Sequence, residues 1–245
     1  AVAQPLIVAA SIASALELGS GFSAVAGHSV GEFAAAALAG ILTPEDAIRA
    51  VSVRSRAMAA AAALEPTSMA AVLGGEQSVV LERLEQLDLY PANFNGAGQI
   101  VAAGSSEAIA ALVAEGPAGS RVIQLQVAGA FHTRYMEPAV AELAGFAAGL
   151  ETENPTRRIW SNQAGQEITN GKEYVDLLVG QVASSVRWDA CMQSFADAGV
   201  TAVLEVSPAG ALAGLAKRAL PGVEILALKT PDQLDAAREL IANHS

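Results

Sequence analysis

The sequence predicts an α/β fold, a larger body into which a smaller unit is inserted. Three observations carry this expectation. The chain has 245 residues, 52% of them hydrophobic and only 16% charged, enough to bury a large core. A short apolar run, a Gly-x-Ser-x-Gly turn and a helix-forming stretch follow one another at 23–39. Between about 66 and 126 the pattern changes to short strands and helices in the order β-α-β-β-α-β, that of a ferredoxin-like unit.

Taken in order, the apolar start Ala1 to Leu18 is broken by Gln4, Pro5, Ser11, Ser14 and Glu17, well short of the ~20 apolar residues of a membrane span. It lacks a basic lead and a cleavage site, and reads as a buried amphipathic helix after Pro5. Ser23 to Ala26 is a strand, and Glu32 to Ala39 a helix. Thr43 caps a second helix through Arg54 to about Ala62, with Pro44 in its first turn. In the insertion, strands are expected at 68–73, 90–95, 100–104 and 122–126, and helices at 77–87 and 106–114.

The larger body then resumes with a helix at 137–150, a strand at 158–161, helices at 174–181 and 188–198, and a strand at 202–206. Ser207-Pro208-Ala209-Gly210 turns the chain into a helix at 211–219. A strand at 224–227 and a helix after Pro231 close it. The expected division is 1–65 with 127–245 for the larger body and 66–126 for the insertion.

A net charge of −11 argues against nucleic acid, which needs clustered Lys and Arg. The single cysteine, Cys191, cannot close an internal disulfide, which fits a reducing cytoplasm. No His and Cys cluster has the spacing of a zinc site, and the glycines form no dinucleotide fingerprint, so neither a metal nor a nicotinamide is implied.

Gly27-His28-Ser29-Val30-Gly31 between a strand and a helix is a nucleophile elbow, in which glycines two residues either side of Ser29 relieve the crowding of a strained turn. The serine hydroxyl is exposed at a helix N-terminus, and the N–H of Val30 can face an oxyanion. A serine needs a base, and the chain has three histidines. His244 lies at the fraying end, and His28 adjoins Ser29 around a tight turn, where neighbours rarely aim at each other. His132, where the chain returns from the insertion, remains.

At these residues the chain resembles the malonyl-CoA:acyl carrier protein transacylases and the related acyltransferase domains of fatty acid and polyketide synthases. Gly27 to Glu32 matches the nucleophile motif, Val53-Arg54-Ser55-Arg56-Ala57-Met58 the substrate arginine segment, and Gly129-Ala130-Phe131-His132 the base motif. Ala92-Asn93-Phe94-Asn95 with Gly98-Gln99, and Glu205-Val206 with Pro208 through Arg218, match further segments in the right order. The resemblance implies an α/β-hydrolase-like larger body carrying the ferredoxin-like insertion. It implies malonyl transfer from malonyl-CoA to an acyl carrier protein through a Ser29 acyl-enzyme, with His132 as base and no cofactor beyond the carrier's phosphopantetheine.

By the same resemblance, Arg54 clamps the malonyl carboxylate, as a planar guanidinium suits. Met58 belongs to the substrate segment, and the backbone carbonyl of Gln181 orients His132. Phe131 and Val30 accompany malonyl over methylmalonyl selection, because an aromatic ring fills the space of an α-methyl, worth ~1–3 kcal/mol. The acidic chain must meet acidic partners through a local basic patch, for which Arg54, Arg56, Arg134, Arg187, Lys217 and Arg218 are the candidates.

One departure stands out. Family members open with a strand and a Gly-Gln-Gly-Ser-Gln-type loop that supplies a second oxyanion donor, and this chain begins after that point, without a Met. The expectation is an excerpt of a complete enzyme or an impaired piece of one. Two other readings remain open. A serine esterase of the α/β-hydrolase type requires an acid between Ser29 and His132, where Asp46 and Asp88 fall. A non-catalytic carrier-docking module would keep the fold without the chemistry.

Overall fold

The computed structural model describes residues 2–244. In chain order the elements are α1 (Ala3–Leu18), β1 (Ala24–Val25), α2 (Gly31–Leu38), α3 (Pro44–Ala62), β2 (Thr67–Gly74), α4 (Gln77–Gln86), β3 (Tyr90–Gly96), β4 (Gln99–Ser105), α5 (Ser106–Ala114) and β5 (Ser120–Gln124). They continue with α6 (Glu137–Ala147), β6 (Arg158–Ile159), α7 (Gly171–Gly180), β7 (Val186–Arg187), α8 (Trp188–Asp197), β8 (Ala202–Glu205), α9 (Ala211–Ala219), β9 (Glu224–Ala227) and α10 (Leu234–His244). The fold is mixed α/β, as predicted, and the differences lie at element ends and in one short strand, β7, that was not expected.

Those differences have local causes. α1 begins ahead of Pro5, because a proline in the first turn removes only an N–H that the helix cannot use. It buries Val8, Ser11, Ile12 and Ala15, one face at helical spacing. α7 starts at Gly171 rather than 174 because the Asn170 side chain accepts the Glu173 N–H at 2.9 Å, a cap the apolar pattern did not reveal. α3 has the predicted bounds, its first turn held by Thr43 accepting from the Asp46 N–H at 3.0 Å.

The largest sheet has the order β5-β2-β4-β3-β7, antiparallel except for the β3–β7 pair. Its alternation is clean. Ala70, Val72, Ile100 and Ala102 face α4 and α5 in one core, while Met69, Val101 and Ala103 face Ala130 and Phe131 in another. The β3–β4 turn closes on Ala97-Gly98, both at positive φ, the geometry that matches strand twist in a tight hairpin. β7 is a two-residue strand from outside 66–126, too short to be read from sequence, that pairs with Asn93 and Phe94.

The remaining strands form two parallel pairs, β1 with β6 and β8 with β9. An apolar cavity of about 590 Å³, lined by Ala24, Val25, Ala26, Ala202, Val203 and Leu204 among others, separates them. The main core lies between α1, α2, α3, α6 and α7, where Val8, Phe33, Val51, Leu143, Ile159 and Tyr174 are fully buried. A second core around Trp160, Trp188 and Phe195 holds α8 and α9. Among the described residues no helix is long and apolar enough to cross a membrane.

The turn before α9 is organised by Glu205, whose carboxylate accepts the N–H groups of Gly210, Leu212 and Ala213 at 2.8, 2.9 and 2.8 Å. An anion there satisfies donors that a helix start leaves open and complements its dipole. Glu205→Ala is expected to cost about 1–2 kcal/mol, read as a lowered denaturant midpoint at unchanged slope.

Candidate active site

The elbow begins where β1 ends, and α2 leaves from Val30, its N-cap, so Ser29 sits at the crest between them. Ser29 has φ 51°, the left-handed region that L-residues avoid at a cost of about 1–2 kcal/mol. Gly27 lets the turn close, since a Cβ there would lie 2.0 Å from the Gly31 carbonyl carbon and 2.3 Å from the Glu32 nitrogen. The expectation that both glycines relieve crowding holds for one of them. A Cβ at Gly31 would meet nothing within 4 Å, because Gly31 contributes its backbone to the contact.

Ser29 Oγ lies 2.7 Å from His132 Nε2 and 3.0 Å from Arg54 Nη2. His132 Nδ1 lies 2.9 Å from the Gln181 carbonyl oxygen. A carbonyl only accepts, so Nδ1 carries the ring proton and donates it, leaving Nε2 with its lone pair toward the serine. The hydroxyl therefore accepts from the guanidinium and donates to the imidazole, which is the arrangement of a serine ready to lose its proton.

The electrostatics agree with that arrangement. Burial, and then the Arg54 charge, push His132 down to about 3, so the imidazole is neutral at physiological pH. Burial lowers Arg54 to about 10, against the pull of the Glu32 carboxylate, and the guanidinium stays charged. Its hydrogen-bond acceptors are all neutral: Gln4 Oε1 at 2.6 Å, Gln181 Oε1 at 2.9 Å and Ser29 Oγ. Its Nε has no partner among the described residues. A buried cation beside a nucleophile, with neutral oxygens around it, is suited to an incoming anion.

Residues 1–236 match the acyl transferase domain family. The chain belongs to that family. The malonyl CoA-acyl carrier protein transacylase of Mycobacterium tuberculosis (strain ATCC 25618 / H37Rv) is 49% identical over 246 residues, which cover 98% of this chain and 82% of that protein. The crystal structure of MCAT from Mycobacterium tuberculosis superposes with a TM-score of 0.94 at 48% identity, over 97% of this chain and 80% of that one. A solved complex of a type II PKS acyl-carrier protein with its malonyl-transacylase gives a TM-score of 0.88 at 30% identity, over 96% of this chain and 80% of that one.

Other residues of this acyl transferase domain stand where the sequence did not put them. Met58 is buried in the main core, where its sulfur accepts from Gln4 at 3.7 Å, the same side chain that accepts from Arg54. The Gln181 side chain does more than its carbonyl alone. Its Oε1 accepts from Arg54, and its Nε2 donates to Ser29 O at 3.0 Å and to the Glu32 carboxylate. Phe131 is half-buried and packs against both the main core and the inner face of the large sheet.

His28 points away from the serine, with Nε2 2.8 Å from Asn95 Oδ1 and its ring edge-on to Trp188. His244 sits between Thr201 and Glu224. Asp46 is spent on the α3 cap, and exposed Asp88 pairs with Arg134 at 3.4 Å; neither approaches His132 Nδ1. In the expected basic patch, Arg54 is 1% exposed and so is no surface charge, and Arg187 is paired with Asp189. Arg56, Lys217 and Arg218 are exposed.

The buried thiol of Cys191 is pushed up to about 12 by burial and donates to Ser161 O. Among the described residues no three His, Cys, Asp or Glu are grouped to hold a metal ion. The apolar cavity of about 590 Å³ runs behind the elbow, past Gly27 and Val30, and Ser29, His132 and Arg54 are not among its lining residues.

Sequence reasoning missed Gln4, Asn162 and Tyr174. Gln4 registers in the sequence only as an interruption of an apolar run, and Asn162 follows a strand with no local pattern to mark it. We expect Gly27→Ala to abolish soluble folded protein, and Gly31→Ala to fold with a melting temperature close to that of the parent. Soluble yield and thermal melting of the pair check this.

Proposed function

We propose that this chain transfers a malonyl group from malonyl-CoA to the pantetheine thiol of an acyl carrier protein, through an acyl-enzyme on Ser29. The observation that carries the reading is the convergence of Ser29 Oγ on a neutral His132 Nε2 and the Arg54 guanidinium, at 2.7 and 3.0 Å. The names of its relatives, malonyl CoA-acyl carrier protein transacylases, and the solved complex with a carrier protein support donor and acceptor.

In the first half-reaction Ser29 Oγ attacks the thioester carbonyl as His132 Nε2 takes its proton. The developing oxyanion faces the head of α2, where the Val30 N–H makes no hydrogen bond among the described residues. Collapse breaks the carbon–sulfur bond, and His132 returns the proton to the leaving CoA thiolate. The second half runs in reverse with the carrier's thiol. It gives its proton to His132, attacks the ester, and Ser29 is released with the proton restored. Thioester exchange is nearly balanced in energy, so the site supplies positioning and proton transfer.

Arg54 pairs with the free carboxylate of the malonyl group. Phe131, beside the base, and Val30 limit the room for an α-methyl substituent. We read 66–126 as a ferredoxin-like insertion in an α/β-hydrolase-like body, 1–65 and 127–245; the antiparallel order β5-β2-β4-β3 supports this. The esterase reading is disfavoured because His132 Nδ1 meets a backbone carbonyl rather than a carboxylate.

Mass spectrometry of the intact protein after mixing with malonyl-CoA is expected to show one malonyl group on Ser29 and none on Ser29→Ala. Methylmalonyl- and acetyl-CoA should label more slowly, and equal labelling by all three would remove the roles of Arg54 and Phe131. Arg54→Lys keeps the charge and loses the planar fork, and kcat/KM for malonyl-CoA should fall about 10- to 100-fold, the span of a charged hydrogen bond.

A base held down to about 3 is in its neutral, working form at any higher pH and loses it only as pH falls through that value. The rate of Ser29 loading at low malonyl-CoA should therefore show no acid limb between pH 7 and about 5. A limb centred at the ordinary histidine value would contradict it.

A further inference from the structure

Behind the reacting groups lie two polar residues that no step of the transfer uses. Glu32 is 2% exposed and Asn162 fully buried. Asn162 Oδ1 accepts the Ser29 N–H at 2.6 Å, and its Nδ2 donates to the Gly27 carbonyl at 2.8 Å. One side-chain amide thus bridges the peptides on either side of His28, as a neighbouring strand would. The other end of the strained residue is held as well, since Ser29 O accepts from Gln181 Nε2 and from the Glu32 N–H at 3.1 Å.

The two amide side chains share an anchor. The Glu32 carboxylate accepts the Asn162 N–H at 2.9 Å, the Tyr174 hydroxyl at 3.3 Å and Gln181 Nε2. It forms no ion pair among the described residues. Burying a carboxylate is costly, and a fold keeps one only where several donors meet it. Here those donors belong to the residue that holds Ser29 and to the residue whose carbonyl aims His132.

We propose that Glu32 and Asn162 are positioning residues, a buried clamp that holds the Ser29 peptide in its left-handed conformation and locks it in register with the Gln181 carbonyl that orients His132. The proposal rests on the Ser29 transfer reading. Neither residue touches substrate, and each acts on the reacting atoms through hydrogen bonds one residue removed. Loss of the clamp lets Ser29 relax toward ordinary backbone angles, which swings Oγ away from Nε2 and leaves the substrate carboxylate on Arg54 undisturbed. A displacement of that size typically costs about 10²-fold in rate.

The experiment compares full-chain Asn162→Ala, Glu32→Gln and Tyr174→Phe with the parent, following malonyl loading of Ser29 by rapid quench and mass spectrometry across malonyl-CoA concentrations, alongside thermal melting. Asn162→Ala and Glu32→Gln should lower the maximal loading rate about 10²-fold while the half-saturating concentration changes less than about threefold. Glu32→Gln does damage despite its shape because its amide must present a donor to a donor. Tyr174→Phe, which removes one donor and keeps the packing, should slow loading about 3- to 10-fold, roughly one hydrogen bond. It decides the matter if the other two do not fold.

A folded variant of Asn162 or Glu32 that loads at the parental rate, or one that changes only the half-saturating concentration, overturns the clamp. So does an unaltered rate in Tyr174→Phe when it is the one variant that folds. If the parent itself leaves Ser29 unmodified, the transfer reading fails instead. The clamp is then tested in the same proteins with a fluorophosphonate probe, whose phosphorus bonds to Ser29 Oγ as fluoride leaves and His132 takes the proton; equal labelling rates overturn it.

Discussion

The site depends on holding one unfavourable peptide in place. Ser29 projects its hydroxyl because its backbone is left-handed, and His132, its partner at 2.7 Å, is left-handed too, with φ 62°. Neither conformation is what an L-residue chooses alone. Each persists because the surroundings over-determine it: side-chain amides on both ends of the Ser29 peptide, the Gly27 backbone pressed against Gly31, and Thr133 donating to Ala130 O at 2.7 Å beside the base. Asp88 and Ala97, also at positive φ, lie in turns elsewhere; within the site the strain falls on the two residues that meet.

Charge is arranged with equal economy of means. The chain is strongly acidic overall, yet among the described residues its reacting centre contains a single buried cation whose hydrogen-bond acceptors are neutral oxygens. Burial, and then that cation, keep His132 neutral. Glu32 sits one layer back, where burial raises it to about 7 and donors from Asn162, Gln181 and Tyr174 oppose the shift. Its field is felt by Arg54 without occupying the place a substrate anion needs.

The five-stranded sheet reaches the reacting groups at several points. One of its faces packs on Ala130 and Phe131, the two residues before His132, so the approach of the chain to His132 is set by packing against β2 and β4. Two further ties join this sheet to the site. His28, next to the nucleophile, binds Asn95 of β3, and β7 pairs with β3 just after the segment that carries Gln181. Ser29, His132 and the Gln181 carbonyl are therefore each linked to one sheet.

Local patterns in the sequence were enough for most of the element order. Period-two and period-3.6 burial, the Thr43 cap and the Gly27 turn are properties of neighbouring residues, and they place Ser29 at an elbow and Arg54 inside a helix. With three histidines to choose from, elimination left His132. What local pattern could not reach were groups whose partners are distant in the chain. Gln4 binds Arg54 across 50 residues, and Asn162 holds Ser29 across 133. Nor did Met58, buried in the main core, or Gly31, crowded by nothing, differ locally from what motif position suggested. Helix, strand and turn are settled by forces that act within a few residues. Hydrogen bonds and burial between remote segments exist only once the chain has closed on itself, so the site's supports were for the tertiary structure to decide.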